Sequence, residues 1–199
     1  EHLMSSIFTT GETALATLAL DAVDGDDELD VIVGGLGLGY TAVAALDDDR
    51  VRSLDVVEAL DAVIDWHEDH LVPNGERLSD DERCRYVPGD FFSLIAGEGP
   101  LRPGGPTTVH AVLLDIDHTP THHLDASHAA FYTEEGLQRL RGRLHPGGVF
   151  GLWSDRHVDD AFLATLRRVF PDSEAHEVTF PNHHTGELAA DTVYVARRT

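Results

Sequence analysis

A glycine-rich segment between an apolar strand and a helix constrains the fold of this chain more than any other feature. The segment DVIVGGLGLGYTAVAAL occupies residues 30–46, and it includes most of a predicted buried strand over 29–33. A helix is predicted from about Thr41 to Leu46. Such a turn is expected where another group lies very close to the main chain. Its four glycines supply no side-chain packing and cost conformational entropy on folding: Gly34, Gly35, Gly37 and Gly39.

Strands and helices alternate along the rest of the chain. Further strands are predicted over 51–57, 85–87, 109–114, 149–153, 176–180 and 192–196. Helices are predicted over 11–23, 60–71, 91–95, 133–144 and 158–170. The alternation predicts a parallel sheet with helices on both faces, and the last two strands, joined by a loop alone, predict an antiparallel hairpin. The predicted fold class is α/β, a doubly wound, mostly parallel, seven-stranded Rossmann-like sheet in a single domain, with an N-terminal segment and helix over 1–28 and the sheet core over 29–199.

The composition indicates an acidic protein. Its 199 residues include 36 Asp plus Glu against 14 Lys plus Arg, which gives a formal net charge of −22. So negative a surface repels phosphates and argues against nucleic-acid binding. We interpret the charge as a solvated acidic surface, and attraction of a cationic partner is the alternative. We see neither an apolar run that could cross a bilayer nor a leader segment, so we expect a cytoplasmic protein. Cys84 is the single cysteine, so we expect no disulfide within the chain.

Acidic residues follow the second and third predicted strands. Ligands of a doubly wound sheet lie beyond the carboxyl ends of its strands, next to the first strand. Glu58 ends the second strand, where a carboxylate can accept both hydroxyls of a ribose. Asp90 follows the third strand, in a position to accept an adenine amino group, and Phe91 could stack on the ring. A nucleoside held against the glycines accounts for all three.

Two nucleoside cofactors compete for this site. Gly37, Gly39 and Ala42 match the G-x-G-x-x-A pattern of nicotinamide dinucleotide proteins, which is weak by itself. The predicted terminal hairpin and the turn at 144–148 before the fifth strand favour S-adenosylmethionine or a relative of it. A third interpretation is that the glycines only permit tight packing of helix against strand.

Five segments carry a resemblance to a known family. GGLGLGYTAVAAL, DVVEALDAVIDW, VPGD, VLLDIDHTP and LRGRLHPGGVFGLWSD together resemble the spermidine synthase-like family, a branch of the class I S-adenosylmethionine-dependent methyltransferase fold. The opening segment LMSSIFTTGETALATLAL is also similar to the one that precedes the glycine strand in this family. The resemblance implies S-adenosylmethionine or decarboxylated S-adenosylmethionine as co-substrate, a small amine as acceptor, and a possible homodimer.

The resemblance also assigns roles to residues after the fourth strand. The family's catalytic loop begins with an aspartate that acts as base and has another acidic residue shortly after, which Asp115 and Asp117 match with altered spacing. The aspartate that holds the co-substrate amine in the polyamine aminopropyltransferases has no counterpart, because Leu36, Gly37 and Leu38 stand at the matching positions. At this length, we expect the 199 residues not to include the N-terminal β-domain of the full aminopropyltransferases.

The chemistry of these side chains suits transfer to an amine. Asp115 and Asp117 can bind an ammonium and take a proton as nitrogen attacks a carbon already activated by the sulfonium. Glu12, on the first helix, could add negative charge at the opening of the same predicted site. His118 is a further candidate for binding the substrate. The predicted function is therefore a transferase that moves an aminopropyl or methyl group to an amine. A non-catalytic nucleoside-binding module and, less favoured, an NAD-dependent oxidoreductase are the alternatives.

Histidines in and around the loop after the fourth strand raise the question of a metal. None of them shows a recognised ligand spacing, and imidazoles in an acidic loop are more often solvated or bonded to carboxylates. We therefore expect no metal, and the loop could instead be a lid over the substrate. The histidines concerned are His118, His122, His123 and His128, with the pairs His67/His70 and His183/His184 elsewhere.

Overall fold

The computed structural model describes residues 9–25, 28–181 and 187–199, and these form one seven-stranded sheet covered by helices. The opening eight residues and the pair His183/His184 lie outside the described residues. The strands are β1 (Leu29–Gly34), β2 (Val51–Glu58), β3 (Cys84–Pro88), β4 (Val109–Leu114), β5 (Leu144–Ser154), β6 (Asp172–Pro181) and β7 (Leu188–Arg197). The helices are α1 (Thr10–Asp21), α2 (Tyr40–Leu46), α3 (Asp61–Glu68), α4 (Gly75–Ser79), α5 (Phe91–Ala96), α6 (Glu134–Gly142) and α7 (Asp160–Val169), with a 3₁₀ helix at Ala126–Ala130.

The sheet has the strand order β3-β2-β1-β4-β5-β7-β6. The first five strands run parallel, while β7 pairs antiparallel with both β5 and β6. The order reverses direction between β1 and β4, which is the switch point where a doubly wound sheet binds its ligands. The predicted fold class, including the terminal hairpin, is confirmed.

Two hydrophobic cores fill the space on either side of the sheet. Val31 and Val33 belong to the core under α1 to α4, while Ile32 between them belongs to the core under α5 to α7. Successive side chains of a strand point to opposite faces, so a strand buried on both faces is continuously apolar. No helix among the described residues is long and apolar enough to span a bilayer.

The structure differs from the expected elements at two turns. The predicted turn at 144–148 lies within β5, where Val109 pairs with Leu144 but Ala111 already pairs with Val149. The residues 145–148 therefore bulge out of the ladder, and Gly147 has a φ of +80°. The predicted helix over 60–71 ends at Glu68, and α4 follows a short loop that contains Pro73, which lacks the N–H needed to continue a helix.

Candidate active site

A cleft of about 230 Å³ opens at the carboxyl ends of the central strands. Most of the residues predicted to bind the nucleoside line it, as does Asp115 at the end of β4. Apolar side chains complete its walls, among them Leu60 and Leu124, which are 58% and 45% exposed. The sequence-predicted residues in the lining are Gly35, Gly37, Glu58, Asp90, Phe91 and Asp115.

The glycine turn is close to other parts of the protein as well as to the cleft. Gly35 has a φ of +93°, and a Cβ there would overlap the carbonyl oxygen of Asp115. A Cβ at Gly34 would lie 2.6 Å from the ring of Phe91, and one at Gly39 would lie 2.5 Å from Leu78. Neither Gly34 nor Gly39 is among the residues that line the cleft. Tight packing therefore explains these two glycines, and of the four only Gly35 and Gly37 face the cleft.

Three side chains hold the main chain of the glycine turn in place. A carboxylate oxygen of Glu58 accepts the Leu36 N–H at 3.0 Å. His67 lies 3.0 Å through Nε2 from the carbonyl oxygen of Gly37, and Asn74 donates from Nδ2 to the next carbonyl, that of Leu38, at 2.8 Å. Because a carbonyl only accepts, His67 must carry its proton on Nε2. Burial lowers the pKa of His67, which favours the neutral ring in this position.

Glu58 keeps hydrogen-bonding capacity for a ligand. Its Oε2 accepts the Leu36 N–H and its Oε1 accepts the Leu60 N–H at 2.9 Å. Each carboxylate oxygen has two lone-pair positions, so each can accept one further donor. The two backbone bonds fix the carboxylate at the edge of the cleft, in the position predicted for binding a ribose.

Asp90 and Phe91 have structural roles next to the cleft. Asp90 caps α5, since its oxygens accept the N–H groups of Phe92 at 3.0 Å and Ser93 at 3.3 Å and the Ser93 hydroxyl at 2.6 Å. Phe91 is 1% exposed and packs edge-to-face on Phe131. Its ring therefore belongs mainly to the core beneath Gly34, although it also contributes to the cleft wall.

Asp115 is held at the base of the cleft by α2. Its Oδ2 accepts a hydrogen bond from the Thr41 hydroxyl at 2.7 Å. Removal from water raises the pKa of Asp115 to about 6, and the bond from Thr41 opposes part of this rise. A carboxyl group with a pKa in this range can accept a proton from a substrate near neutral pH.

Two further carboxyl groups lie close enough to Asp115 to interact with it electrostatically. Burial raises the pKa of Glu12 to about 8, and the charge of Asp115 adds to the rise. Burial likewise raises the pKa of Asp191 to about 6, and the Asp155 and Asp115 charges contribute. Asp191, 8% exposed, accepts a 3.0 Å hydrogen bond from Trp153 Nε1. Three chain segments distant in sequence thus bring Glu12, Asp115 and Asp191 together; we call these three residues the acidic cluster.

Asp117 corrects an expectation from the sequence. It was predicted to act beside Asp115, yet it is 1% exposed and is not part of the cleft lining. Its oxygens accept hydrogen bonds from the Leu124 N–H at 2.7 Å, from His128 Nδ1 at 2.9 Å and from the Tyr132 hydroxyl at 2.9 Å. Asp117 therefore anchors the loop after β4, and its carboxylate is not presented to a substrate.

The histidines of this loop occupy different environments. His118 lies 3.4 Å through Nδ1 from Asp155 at the end of β5, outside the cleft lining, so its predicted contact with substrate is not supported by its position. His128, in contrast, lines the cleft. Among residues 9–25, 28–181 and 187–199, no group of three or more His, Cys, Asp or Glu side chains is arranged to hold a metal ion.

Comparisons with known proteins find transferases among the proteins that this chain resembles. No family model matches it. Polyamine aminopropyltransferase 2 of Pseudomonas aeruginosa is 26% identical over 167 residues, covering 79% of this chain and 44% of the relative. A spermidine synthase in complex with the transition-state analogue AdoDATO superposes with a TM-score of 0.72 at 19% identity, covering 96% of this chain and 61% of that one. Human methyltransferase-like protein 13 in complex with SAH superposes with a TM-score of 0.64 at 22% identity, covering 96% of this chain and 79% of that one.

The fold is that of the class I S-adenosylmethionine-dependent methyltransferases. Within this class, the chain resembles the spermidine synthase-like proteins in both sequence and structure, which confirms the resemblance seen in its motifs. The chain spans less than half of the curated relative and about three fifths of the spermidine synthase.

Proposed function

We propose that this protein transfers an aminopropyl or methyl group from a sulfonium nucleoside to a small amine. The observation that carries the proposal is the placement of Glu58 and Asp115 on one cleft beside the glycine turn. Glu58 would accept the ribose hydroxyls, and Asp115 would lie at the other end, next to the acidic cluster. The proteins that the chain resembles are transferases, which supports the same reaction class.

The acidic cluster is suited to an acceptor with more than one amino group. One ammonium of a diamine would bind between Glu12 and Asp191, and the other nitrogen would enter the cleft as the free amine. That nitrogen attacks the carbon next to the sulfonium, so a C–N bond forms and the C–S bond breaks. The electron pair of the broken bond returns to sulfur, and the proton leaving nitrogen passes to Asp115. Orientation supplies most of the remaining acceleration.

The charges around the cleft favour the decarboxylated co-substrate. Among the described residues that line it, the charged side chains are Glu58, Asp90 and Asp115, and no arginine is present. The carboxylate of S-adenosylmethionine would therefore meet like charges with no cation to pair with. Decarboxylated S-adenosylmethionine carries only positive charges, which favours aminopropyl transfer over methyl transfer.

Binding measurements with a Glu58→Gln variant test the nucleoside site. Wild-type protein should bind methylthioadenosine and decarboxylated S-adenosylmethionine in titration calorimetry, with weaker binding of S-adenosylmethionine. Glu58→Gln should weaken binding of methylthioadenosine about tenfold to a hundredfold, because hydrogen bonds from the ribose to a charged acceptor are lost.

An exposed carboxylate on α3 supplies the control for this variant. Asp61→Asn also removes one negative charge, but Asp61 does not line the cleft, so its affinity should stay within about twofold of wild type. Binding of NAD without binding of either sulfur nucleoside would instead support the oxidoreductase alternative. Nucleoside binding with no methylthioadenosine formed from decarboxylated co-substrate and any diamine would support a non-catalytic binding module.

Amine binding should release a proton from Glu12. Since burial raises the pKa of Glu12 to about 8, its carboxyl group is largely protonated at neutral pH in the free protein. A bound ammonium favours the ionised form, so Glu12 should lose its proton, and the affinity for putrescine should increase from pH 6 to pH 8. Calorimetry in buffers of different ionisation enthalpy measures the number of protons released.

Two variants of α1 make this measurement specific. Glu12→Gln should release fewer protons than wild type on binding putrescine, and its affinity should depend less on pH. Asp21→Asn, an exposed position at the end of the same helix, should leave both unchanged. Equal proton release by wild type and Glu12→Gln would contradict the assignment of Glu12 to the amine site.

A further inference from the structure

His128 is a polar side chain of the cleft lining to which the proposed reaction assigns no role. It sits in the 3₁₀ helix Ala126–Ala130, whose start is capped by Asp125 through a 2.8 Å bond from the Ser127 N–H. Its ring stacks on Phe92 with centroids 3.9 Å apart and an interplanar angle of 24°. Packing and capping together fix the position of this imidazole beside the start of α5.

Asp117 determines which nitrogen of His128 carries the proton. Nδ1 lies 2.9 Å from a carboxylate oxygen of Asp117, and a carboxylate can only accept. Nδ1 is therefore the protonated nitrogen of the neutral ring, and Nε2 has a free lone pair. Among the described residues, none forms a hydrogen bond with Nε2, and His128 lines the cleft.

The same wall of the cleft holds Asp90 and Phe92, which begin α5. Three hydrogen bonds from α5 already use most of the accepting capacity of Asp90. His128 Nε2 adds an acceptor that is neutral and held rigidly by a buried partner. A base bound at this wall thus meets hydrogen-bond acceptors, which match an exocyclic amino group.

We propose that His128, oriented by Asp117, selects adenine over other purines by accepting a hydrogen bond from its 6-amino group. The inference rests on the proposed nucleoside site and specifies how that site recognises its base. Hypoxanthine has a carbonyl oxygen in place of the amino group, so its lone pairs would face the lone pair of Nε2. A site built to accept a substrate N–H rejects the analogue that lacks it, because the buried acceptor is left unpaired.

The test compares methylthioadenosine with methylthioinosine at pH 7.5, where the base of each nucleoside is neutral. His128→Phe keeps an aromatic ring against Phe92 but removes both nitrogens. The preference of the protein for the adenine nucleoside, measured as a ratio of dissociation constants, should fall about tenfold in this variant, as expected for one lost hydrogen bond. Affinity for methylthioinosine should stay the same or increase.

His123→Phe is the matched control in the same loop. His123 stacks on Tyr132 with centroids 5.0 Å apart and does not line the cleft, so this variant should keep the wild-type preference. Where His128→Phe does not fold, as judged by circular dichroism, His128→Gln replaces it. Its amide can donate or accept, so the preference should fall while binding persists.

The outcomes separate this inference from the proposed function. If His128→Phe and His128→Gln bind methylthioadenosine with an unchanged preference over methylthioinosine, the role of His128 is overturned and the nucleoside site stands. If wild-type protein binds neither nucleoside, the proposed function fails and the inference fails with it. A preference lost equally in His123→Phe would also overturn the inference, because the effect would belong to the loop as a whole.

Discussion

Replacing Asp115 by Asn should reduce the rate of aminopropyl transfer to putrescine by about 10²- to 10⁴-fold, as is typical for loss of a general base. The amide can still accept the hydrogen bond from Thr41, so the local geometry should be retained. Since the pKa of Asp115 is raised to about 6, the wild-type rate should increase as pH rises through about 6, and this step should be absent in the variant. Both effects are measured by running the reaction at pH values from 5 to 9 and quantifying the methylthioadenosine formed by chromatography.

Two comparisons make the result for Asp115 specific. Binding of methylthioadenosine to Asp115→Asn should stay within about threefold of wild type, because the ribose and base are bound elsewhere in the cleft. Asp49→Asn also removes one negative charge, but Asp49 is exposed just before β2 begins, at the end of the sheet away from the cleft. The transfer rate of this variant should equal that of wild type. A rate in Asp115→Asn within tenfold of wild type would show that the proton goes to another group.

Gly35→Ala should cause the largest loss of stability among single changes at the cleft. The new methyl group would overlap the carbonyl oxygen of Asp115, and the φ of +93° at this position is strained for any L side chain. We expect the free energy of unfolding to fall by about 2–4 kcal/mol, combining backbone strain with overpacking against main chain that cannot rotate away. Urea denaturation followed by circular dichroism measures the change.

Gly142→Ala provides the matched glycine substitution. Gly142 ends α6, and a Cβ there meets no atom within 4 Å, so alanine should be neutral or stabilise by up to about 1 kcal/mol. The slope of the free energy against urea concentration should be the same in both variants. A cost below about 1 kcal/mol for Gly35→Ala would mean that β1 and β4 separate easily at the cleft.

The sequence predicted the parts of the molecule that local patterns determine. Continuous apolar runs such as Val31–Val33 identify strands buried on both faces, and alternation with helices predicts a mostly parallel sheet covered on both sides. Glu58 and Asp90 could be placed at the cleft because parallel strands end at the same edge of a sheet. The sequence also predicted that another group lies close to the main chain at the turn glycines. It could not show that, for two of these glycines, the neighbouring groups are the side chains of Phe91 and Leu78.

The remainder of the candidate site depends on contacts between distant segments. Asp191 lies on the final strand, and only the antiparallel placement of β7 beside β5 brings it to Trp153 and within electrostatic reach of Glu12. In the sequence, His67 stands out only through its pairing with His70, but its spacing after Val63 and Ile64 puts it on the buried face of α3. That helical spacing was the available signal. Asp117 was misassigned because a buried loop anchor and a catalytic acid look alike in a sequence.

The burial of Asp117 limits how the chain between β4 and α6 can move. Its oxygens accept hydrogen bonds from Leu124, His128 and Tyr132, and losing a donor would leave a buried acceptor less well satisfied. Leu124, His128 and Tyr132 are thus tied to a single carboxylate that directly follows β4, although they lie between 7 and 15 residues further along the chain. A long connection is in this way joined to the sheet at its middle as well as at its ends.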